Sequence, residues 1–548
     1  MKDIIKIIKG IDIKEAFAYA VLIVFFFWWQ KFFPNLSFAY IEKVTLVVRS
    51  LYAVVLADTV ISSVKKALVL LNRRRAEEVA RKSKYTDGKK SEGVEARAEE
   101  ITGETTVDSI NYVSASQISK SESVDLVDEN SMLSRISDFL FYGAFALCFG
   151  LALLSSTRFP GIIHLFAGMH RLGVNLSCLM VLFLFNRKPA IDLKILILQI
   201  FILIADIGFM AVHGGIWLYP MMIFVVGAYG REFLPVVHIA LVESALIILA
   251  TGYCSFTGII EMVIKDGKHA YGYAGPNEAS MQYLFFLMMY FFARYYAEKK
   301  KVFEHEERGE GEAINFGWGV VFDRLLNVID AVVLSVGVMF IVFYSSGRAS
   351  IVCVLALAAG VMIYKLSKLY PVNNWNDMAR KVIDKIFFLA FVPIYIYVAV
   401  FSFVSSYFFD PDKPYGWILL IGKVFDPDNL IERLRLGKQG ILGYMPSIFG
   451  TNVRESLEEN YFIIDNFYIK SFLQYGIIYF VCTLLIFTIL NYALWKRKDY
   501  FVLFLLSIVA GLSFLEATIG EIQYDIFPLI VFTCDVGCLA IRRDGAYN

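Results

Sequence analysis

The chain has 548 residues, 58% of them apolar and 19% charged, with a mean hydropathy of +0.60. Soluble domains average about 45–50% apolar and about 25% charged residues, so this composition excludes a soluble enzyme of any ordinary class. With 52 basic and 51 acidic residues the net charge is +1, and no nucleic-acid partner is indicated.

A membrane-crossing helix needs about 20 apolar residues, and apolar runs recur from Phe17 to Ile541. They predict an all-α polytopic integral membrane protein with about 14 transmembrane helices and a large outer loop. The first two spans, 14–33 and 44–64, belong to a segment 1–71. The bulky residues Phe25 to Trp29 and the lack of a small-residue site after them read as a retained span, not a cleaved signal peptide.

An insert, 72–134, comes next. It is rich in charge, Ser and Gly, contains no Phe or Trp, and is expected to be disordered and cytoplasmic. Its basic residues crowd Arg73 to Arg97 and suit anionic lipid; its later part, Glu99 to Glu129, is mostly acidic.

Segment 135–406 carries the third to eleventh spans: 136–156, 170–186, 193–213, 215–230, 233–253, 278–297, 326–344, 350–366 and 386–406. The loop 407–467 follows. It holds Tyr407, Phe408, Phe409, Tyr415 and Trp417, and Asp426-Pro427-Asp428 reads as a helix start. A short amphipathic helix over about 428–436, ending at Gly437 or Gly440, is predicted there. Segment 468–548 supplies the last spans, 468–493, 499–519 and 525–541.

Basic residues set orientation. If Lys2, Lys6 and Lys9 lie in the cytoplasm, every second turn also falls inside, and all of those turns are basic. They carry Lys65 and Lys66, Arg187 and Lys188, Arg231, Lys299–Lys301, Lys365 and Lys368, Lys496–Lys498, and Arg542 and Arg543. This alternation predicts both termini inside. The seven cysteines have neither metal nor redox spacing, so no disulfide framework or zinc site is expected. Asp410-x-Asp412 and Asp426-x-Asp428 bracket prolines and read as turns; neither a metal nor a cofactor is expected.

In this topology four patches share the outer face. They are Gly272 to Glu278; Ser345 to Ser350; Glu432 to Arg435 with Phe449-Gly450-Thr451-Asn452; and Ile464 to Tyr468 followed by Gln474-Tyr475-Gly476. Taken in order, Pro276-Asn277, Gly347-Arg348, Glu432-Arg433, Phe449-Gly450 and Asp465-Asn466 resemble the family of bacterial O-antigen and capsule polymerases and O-antigen ligases. The resemblance covers roughly 270–490. Asp465 stands where ligases usually carry His, which favours a polymerase, and the stretch Gly450-Thr451-Asn452 lacks the family's second Gly.

The resemblance implies a GT-C-like fold in the bacterial cytoplasmic membrane, with the active site on the outer face. The implied reaction moves a growing glycan from polyprenyl pyrophosphate to a sugar hydroxyl of an incoming lipid-linked unit. Partners would be the polyprenyl-pyrophosphate-linked oligosaccharide, membrane lipid, and a chain-length regulator or flippase of the same pathway. Arg348 and Arg433 are the candidate phosphate-stabilising residues, because a guanidinium pairs bidentately with phosphate and stays charged when desolvated. Asp465 is the candidate base, provided burial raises its pKa.

Arg435, Asn277, Asn466, Glu278 and His213 are candidates for binding substrate. Arg433 and Arg435 point to different faces of one helix, and the resemblance selects Arg433. Asp465-Asn466 also suits a helix cap, since both side chains accept from backbone N–H groups. His213, beside Gly214-Gly215, also suits the membrane interface.

Two other functions stay open. An O-antigen-type ligase is one. The other is a flippase or secondary transporter, for which the in-span residues Asp206 and Glu243 would form an ion relay. Asp58, Asp330, Glu516 and Asp535 are further ionisable residues inside predicted spans.

Overall fold

The computed structural model describes residues 132–159, 197–199, 201–202, 219–265, 267–307, 318–345, 347–369, 377–410, 427–451, 453, 462–517 and 521–533. The spans expected at 14–33, 44–64 and 170–186, most of the insert 72–134, and most of 193–213 lie outside the described residues. The chain divides into two compact units, Met1–Ile136 with Leu182–Ile200 and Ser137–Val181 with Phe201–Asn548. The second unit carries all of the architecture below except the first turn of α1.

In chain order the helices are α1 (Met132–Ser155), α2 (Tyr219–Gly227), α3 (Leu234–Phe256), α4 (Pro276–Glu307), α5 (Trp318–Met339), α6 (Arg348–Leu369), α7 (Asp377–Phe391), α8 (Ile394–Tyr407), α9 (Pro427–Gly443), α10 (Phe467–Lys470), α11 (Ile477–Lys496) and α12 (Tyr500–Leu515). Two π-helical segments, Phe340–Ser345 and Ser471–Tyr475, interrupt this series, and a 3-10 helix, Phe527–Phe532, ends it. A two-stranded antiparallel hairpin, β1 (Ile264–Lys265) with β2 (Lys268–His269), pairs Ile264 with His269.

Among the described residues five helices are long and apolar enough to cross a membrane: Asp138–Ser155, Leu234–Phe256, Leu325–Ser345, Arg348–Ser367 and Ile477–Lys496. The pair α7 and α8, bent by 44° at Val392-Pro393, makes a sixth if taken as one span. Proline lacks the N–H that would continue the helix. Beside the break, Phe391 O accepts from Asn491 Nδ2 at 2.9 Å.

Several boundaries differ from the sequence expectation for physical reasons. The run 215–230 yields only the nine residues of α2. The run 468–493 is broken by the π segment and by Gly476 at φ 96°. The run 499–519 stops at Leu515, where Glu516 turns extended. The run 525–541 begins as a buried 3-10 helix, and its remainder lies outside the described residues. Non-helical backbone of this kind is tolerated at membrane depth where protein surrounds it.

The run 278–297 becomes α4, which packs on α3, α6 and α12. Its two ends are polar. Glu278 and Glu298 lie about 30 Å apart along the axis, at about 1.5 Å per residue. At the Glu298 end, Asp330 accepts from Arg294 Nε at 2.9 Å, Lys365 Nζ at 2.8 Å and Tyr290 Oη at 2.8 Å. Asp330 is therefore not a lone charge inside a span; it joins α4, α5 and α6. Asp499, fully buried, accepts from Tyr295 Oη at 2.8 Å and from Lys299.

Candidate functional site

The site gathers at the Glu278 end of α4. Pro276 occupies the first helical position and Gly275 precedes it, with Glu278 in the first turn. The Glu278 carboxylate folds back over Gly275, 2.5 Å from where a Cβ would stand there. Negative charge is favoured at that helix end. Ser280, on the next turn, joins the first patch to the second. Its Oγ lies 2.7 Å from Pro276 O and 2.9 Å from Ser345 Oγ, and accepts from Gly347 N–H at 3.0 Å. A Cβ on Gly347 would stand 2.2 Å from that oxygen and 3.7 Å from the Cα of Asn277. Gly347 thus sits beside Asn277, which is exposed, and the next residue, the half-buried Arg348, opens α6.

The loop helix α9 starts at Pro427, as its sequence predicts, and runs on to Gly443. Neither Gly437 nor Gly440 stops it. Both lie inside the helix, where the missing side chain lets it approach its neighbours. A Cβ on Gly437 would stand 2.8 Å from Ser406 Oγ, and one on Gly440 would stand 2.8 Å from Ile464 Cδ1. Leu430 and Leu434 bury against Phe409, with Phe514 and Leu515 packed alongside. This packing turns Arg433 toward the end of α12. Arg435 faces the other way. It is 47% exposed, pairs with Glu432 and stands outside the cluster.

Arg433 brings the third and fourth patches together. Its Nη2 lies 2.9 Å from Glu516 Oε1 and 3.6 Å from Asp465 Oδ2. Arg433 and Glu516 are only 14% and 15% exposed; Asp465 is 28% exposed. The neighbouring Asn466 is the helix cap. Its Oδ1 accepts from the N–H groups of Tyr468 (3.0 Å) and Ile469 (3.2 Å). Its Nδ2 donates to Phe514 O at 3.0 Å, which ties the cap to the end of α12. The Asp465-Asn466 pair therefore divides its work: Asn466 caps and Asp465 faces the arginine.

Two carboxylates complete the group, and motif reading missed both. Burial raises the pKa of Glu516; Arg433 opposes the shift, and Asp465 and Glu278 add to it. Burial pushes Glu521 up to about 7, against Lys470 and with help from Glu278 and Glu516. These mutual effects place Glu278, Asp465, Glu516 and Glu521 in one electrostatic neighbourhood with Arg433 and Lys470. In the sequence, Glu516 looks like a costly charge at the end of an apolar run. Its usable signal was Glu516 and Glu521 flanking Gly520, directly after that run.

The backbone around the group is closely fitted. Gly476, between the π segment and α11, sits against Gly450, and a Cβ there would stand 2.4 Å from Gly450 N. Thr451 N–H donates to Leu473 O at 2.9 Å and Ile477 N–H to Ser447 O at 3.0 Å. His213 lies outside the described residues. Among the described residues no group of three or more His, Cys, Asp or Glu side chains is arranged to hold a metal ion.

Chemically, the arrangement offers carboxylates that can accept hydroxyl protons, with a guanidinium between two of them. Comparison with protein-family models, curated proteins and solved structures finds no match for this chain.

Proposed function

We propose that this membrane protein is a glycan polymerase, with about 14 spans, a GT-C-like arrangement and both termini cytoplasmic, in a bacterial cytoplasmic membrane. The substrates are two polyprenyl-pyrophosphate-linked oligosaccharides, met at the outer face. A sugar hydroxyl of the incoming unit attacks the anomeric carbon of the growing chain. The new glycosidic bond forms as the bond to pyrophosphate breaks; the lipid pyrophosphate departs with the electron pair, and the hydroxyl proton passes to a carboxylate. The observation that carries this reading is the meeting of sequence-distant patches at Arg433, set between Asp465 and Glu516.

In this reading the roles divide differently from the sequence expectation. The Nη2 of Arg433 already serves two carboxylates, so its role in this reading is to hold Asp465 toward the acceptor hydroxyl. Glu516 helps to fix that guanidinium. Arg348 keeps the phosphate role: it begins a helix, where the axial dipole adds to its own positive charge. The reaction needs its substrates positioned and its leaving-group charge stabilised.

The test is an in vitro assay of purified protein with a pyrophosphate-linked oligosaccharide, read as a ladder on a gel. The expected result is a ladder of regular spacing that Arg348→Ala and Asp465→Asn abolish and Arg435→Ala leaves intact. A ladder unchanged by the first two substitutions refutes the site. A ligase would instead give one transfer to a lipid acceptor and no ladder.

One observation favours a carrier. Glu243, midway along α3, faces Gly150 of α1, and its buried Oε2 has no hydrogen-bond partner among the described residues. Movement of lipid-linked substrate across proteoliposomes, lost in Glu243→Gln, would establish that function instead.

A further inference from the structure

The end of α9 and the segment after it are unusual for a surface bathed in water. From Gly440 to Val453 the chain carries no charged residue, and Met445, Leu442 and Ile448 are 88%, 64% and 59% exposed. These side chains form a tip beside the candidate site, at the far end of the helix that carries Arg433. Their depth is set by hydrogen bonds. Ile477 N–H donates to Ser447 O at 3.0 Å and Ile478 N–H to Ile448 O at 3.3 Å. Ile477 is the first residue of α11, a helix long and apolar enough to cross a membrane. The tip therefore stands level with the first turn of that span, not above it.

The apolar surface is also continuous. Ile477, Val481, Leu485 and Ile489 recur at four-residue spacing along α11, and all are exposed. On a spanning helix such a stripe faces hydrocarbon. Ile448 and Met445 extend it past the helix end. Along α9 the exposed face runs from Arg435 and Gln439 to Leu442, from charged and polar to apolar. A helix graded in this way suits a membrane interface, where an apolar face sinks about 5–10 Å into the headgroup and acyl boundary.

We infer that the tip Leu442–Ile448 inserts into the adjacent lipid leaflet and pins α9, and with it Arg433, at the bilayer surface. The occupant of the patch is phospholipid. The inference is independent of the reaction the site carries out. It has a consequence for access: a ligand with a lipid tail would reach Arg433 by lateral diffusion, without leaving the membrane.

The experiment uses the full chain, purified and reconstituted into phosphatidylcholine vesicles with bromines at acyl positions 6,7 or 11,12. Met445→Trp places a reporter at the most exposed tip residue, and Gln439→Trp places one about a turn and a half earlier on α9. Emission of the unsubstituted protein is subtracted from each. The expected result is a blue-shifted added emission from Met445→Trp that the shallow bromines quench more than the deep ones, with Gln439→Trp quenched less. An added emission at 445 that brominated lipid leaves unquenched overturns the inference, whether water, a second copy or another part of the chain covers the tip. Ile448→Trp repeats the measurement at a second position, so a poorly folded variant does not decide the outcome.

Discussion

Removal of the Arg433 guanidinium is the most informative single perturbation. Arg433→Ala takes a cation from 2.9 Å beside Glu516 and 3.6 Å beside Asp465. Breaking a buried ion pair by deleting one partner costs about 3–5 kcal/mol, because the other charge is left uncompensated. Asp465 is more exposed and more distant, and its pairing adds only about 0.5 kcal/mol. Glu516 has an escape that limits the loss. Burial already raises its pKa and Arg433 opposes that rise, so without the arginine the carboxyl protonates more readily.

The expected cost of Arg433→Ala is therefore about 2–4 kcal/mol near pH 8 and less near pH 5. The sign follows from linkage. A carboxyl whose pKa is higher folded than unfolded contributes no penalty below its unfolded value and the full penalty above its folded one. The assay is equilibrium unfolding in mixed micelles for Arg433→Ala, Glu516→Gln and the double variant at both pH values. A coupling of about 1–3 kcal/mol between the two sites is expected. Additive single effects, with coupling below about 0.5 kcal/mol, would show that the pair is not a working interaction.

Three further outcomes are expected. Gly476→Ala puts a Cβ 2.4 Å from Gly450 N at a φ of 96°. It should abolish monodisperse protein in size-exclusion chromatography, whereas Gly511→Ala, with no atom within 4 Å, should behave as the parent. Glu521, raised to about 7, should make the protein lose up to about 3 kcal/mol relative to Glu521→Gln as pH rises from 4.5 through 7. Thermal unfolding curves of parent and variant that stay parallel across that range would contradict this. Asp499→Ala leaves Lys299 without its fully buried acceptor and should cost about 3–5 kcal/mol, read as a lower detergent unfolding midpoint; an unchanged midpoint would contradict the burial argument.

The sequence made the apolar helices legible because lipid imposes a simple rule of length and polarity. Leu234–Phe256 and Arg348–Leu369 follow the runs 233–253 and 350–366 closely, and Asp-Pro marked the start of α9 at Pro427. What local pattern could not show was decided by packing between distant segments. Gly437 and Gly440 carry the signal of a helix stop, yet both serve close contact inside α9, because Ser406 and Ile464 stand where side chains would be. The breaks at Phe340–Ser345 and Ser471–Tyr475 leave hydrophobicity unchanged and so leave no trace in a periodicity. Glu516 was hidden for the opposite reason. It reads as a charge within a span until the helix is seen to end at Leu515 and Arg433 is seen beside it.

Packing between distant segments also decides how charge is distributed along the bundle. The two clusters on α4 lie about 30 Å apart, the thickness of a bilayer's hydrocarbon core. They are built differently. At the Glu298 end, Asp330 has three donors and Asp499 at least two, and such satisfied networks lock helices together. At the Glu278 end, among the described residues, Glu278, Asp465, Glu516 and Glu521 share a neighbourhood with Arg433 and Lys470, and burial raises two of the carboxyls. A cluster that serves only to hold helices gains nothing from such carboxyls, since burial disfavours their charged form. The raised carboxyls are accounted for if hydroxyl groups of a ligand enter among them. That is why chemistry is proposed at the Glu278 end of α4, and not at the better-satisfied Glu298 end.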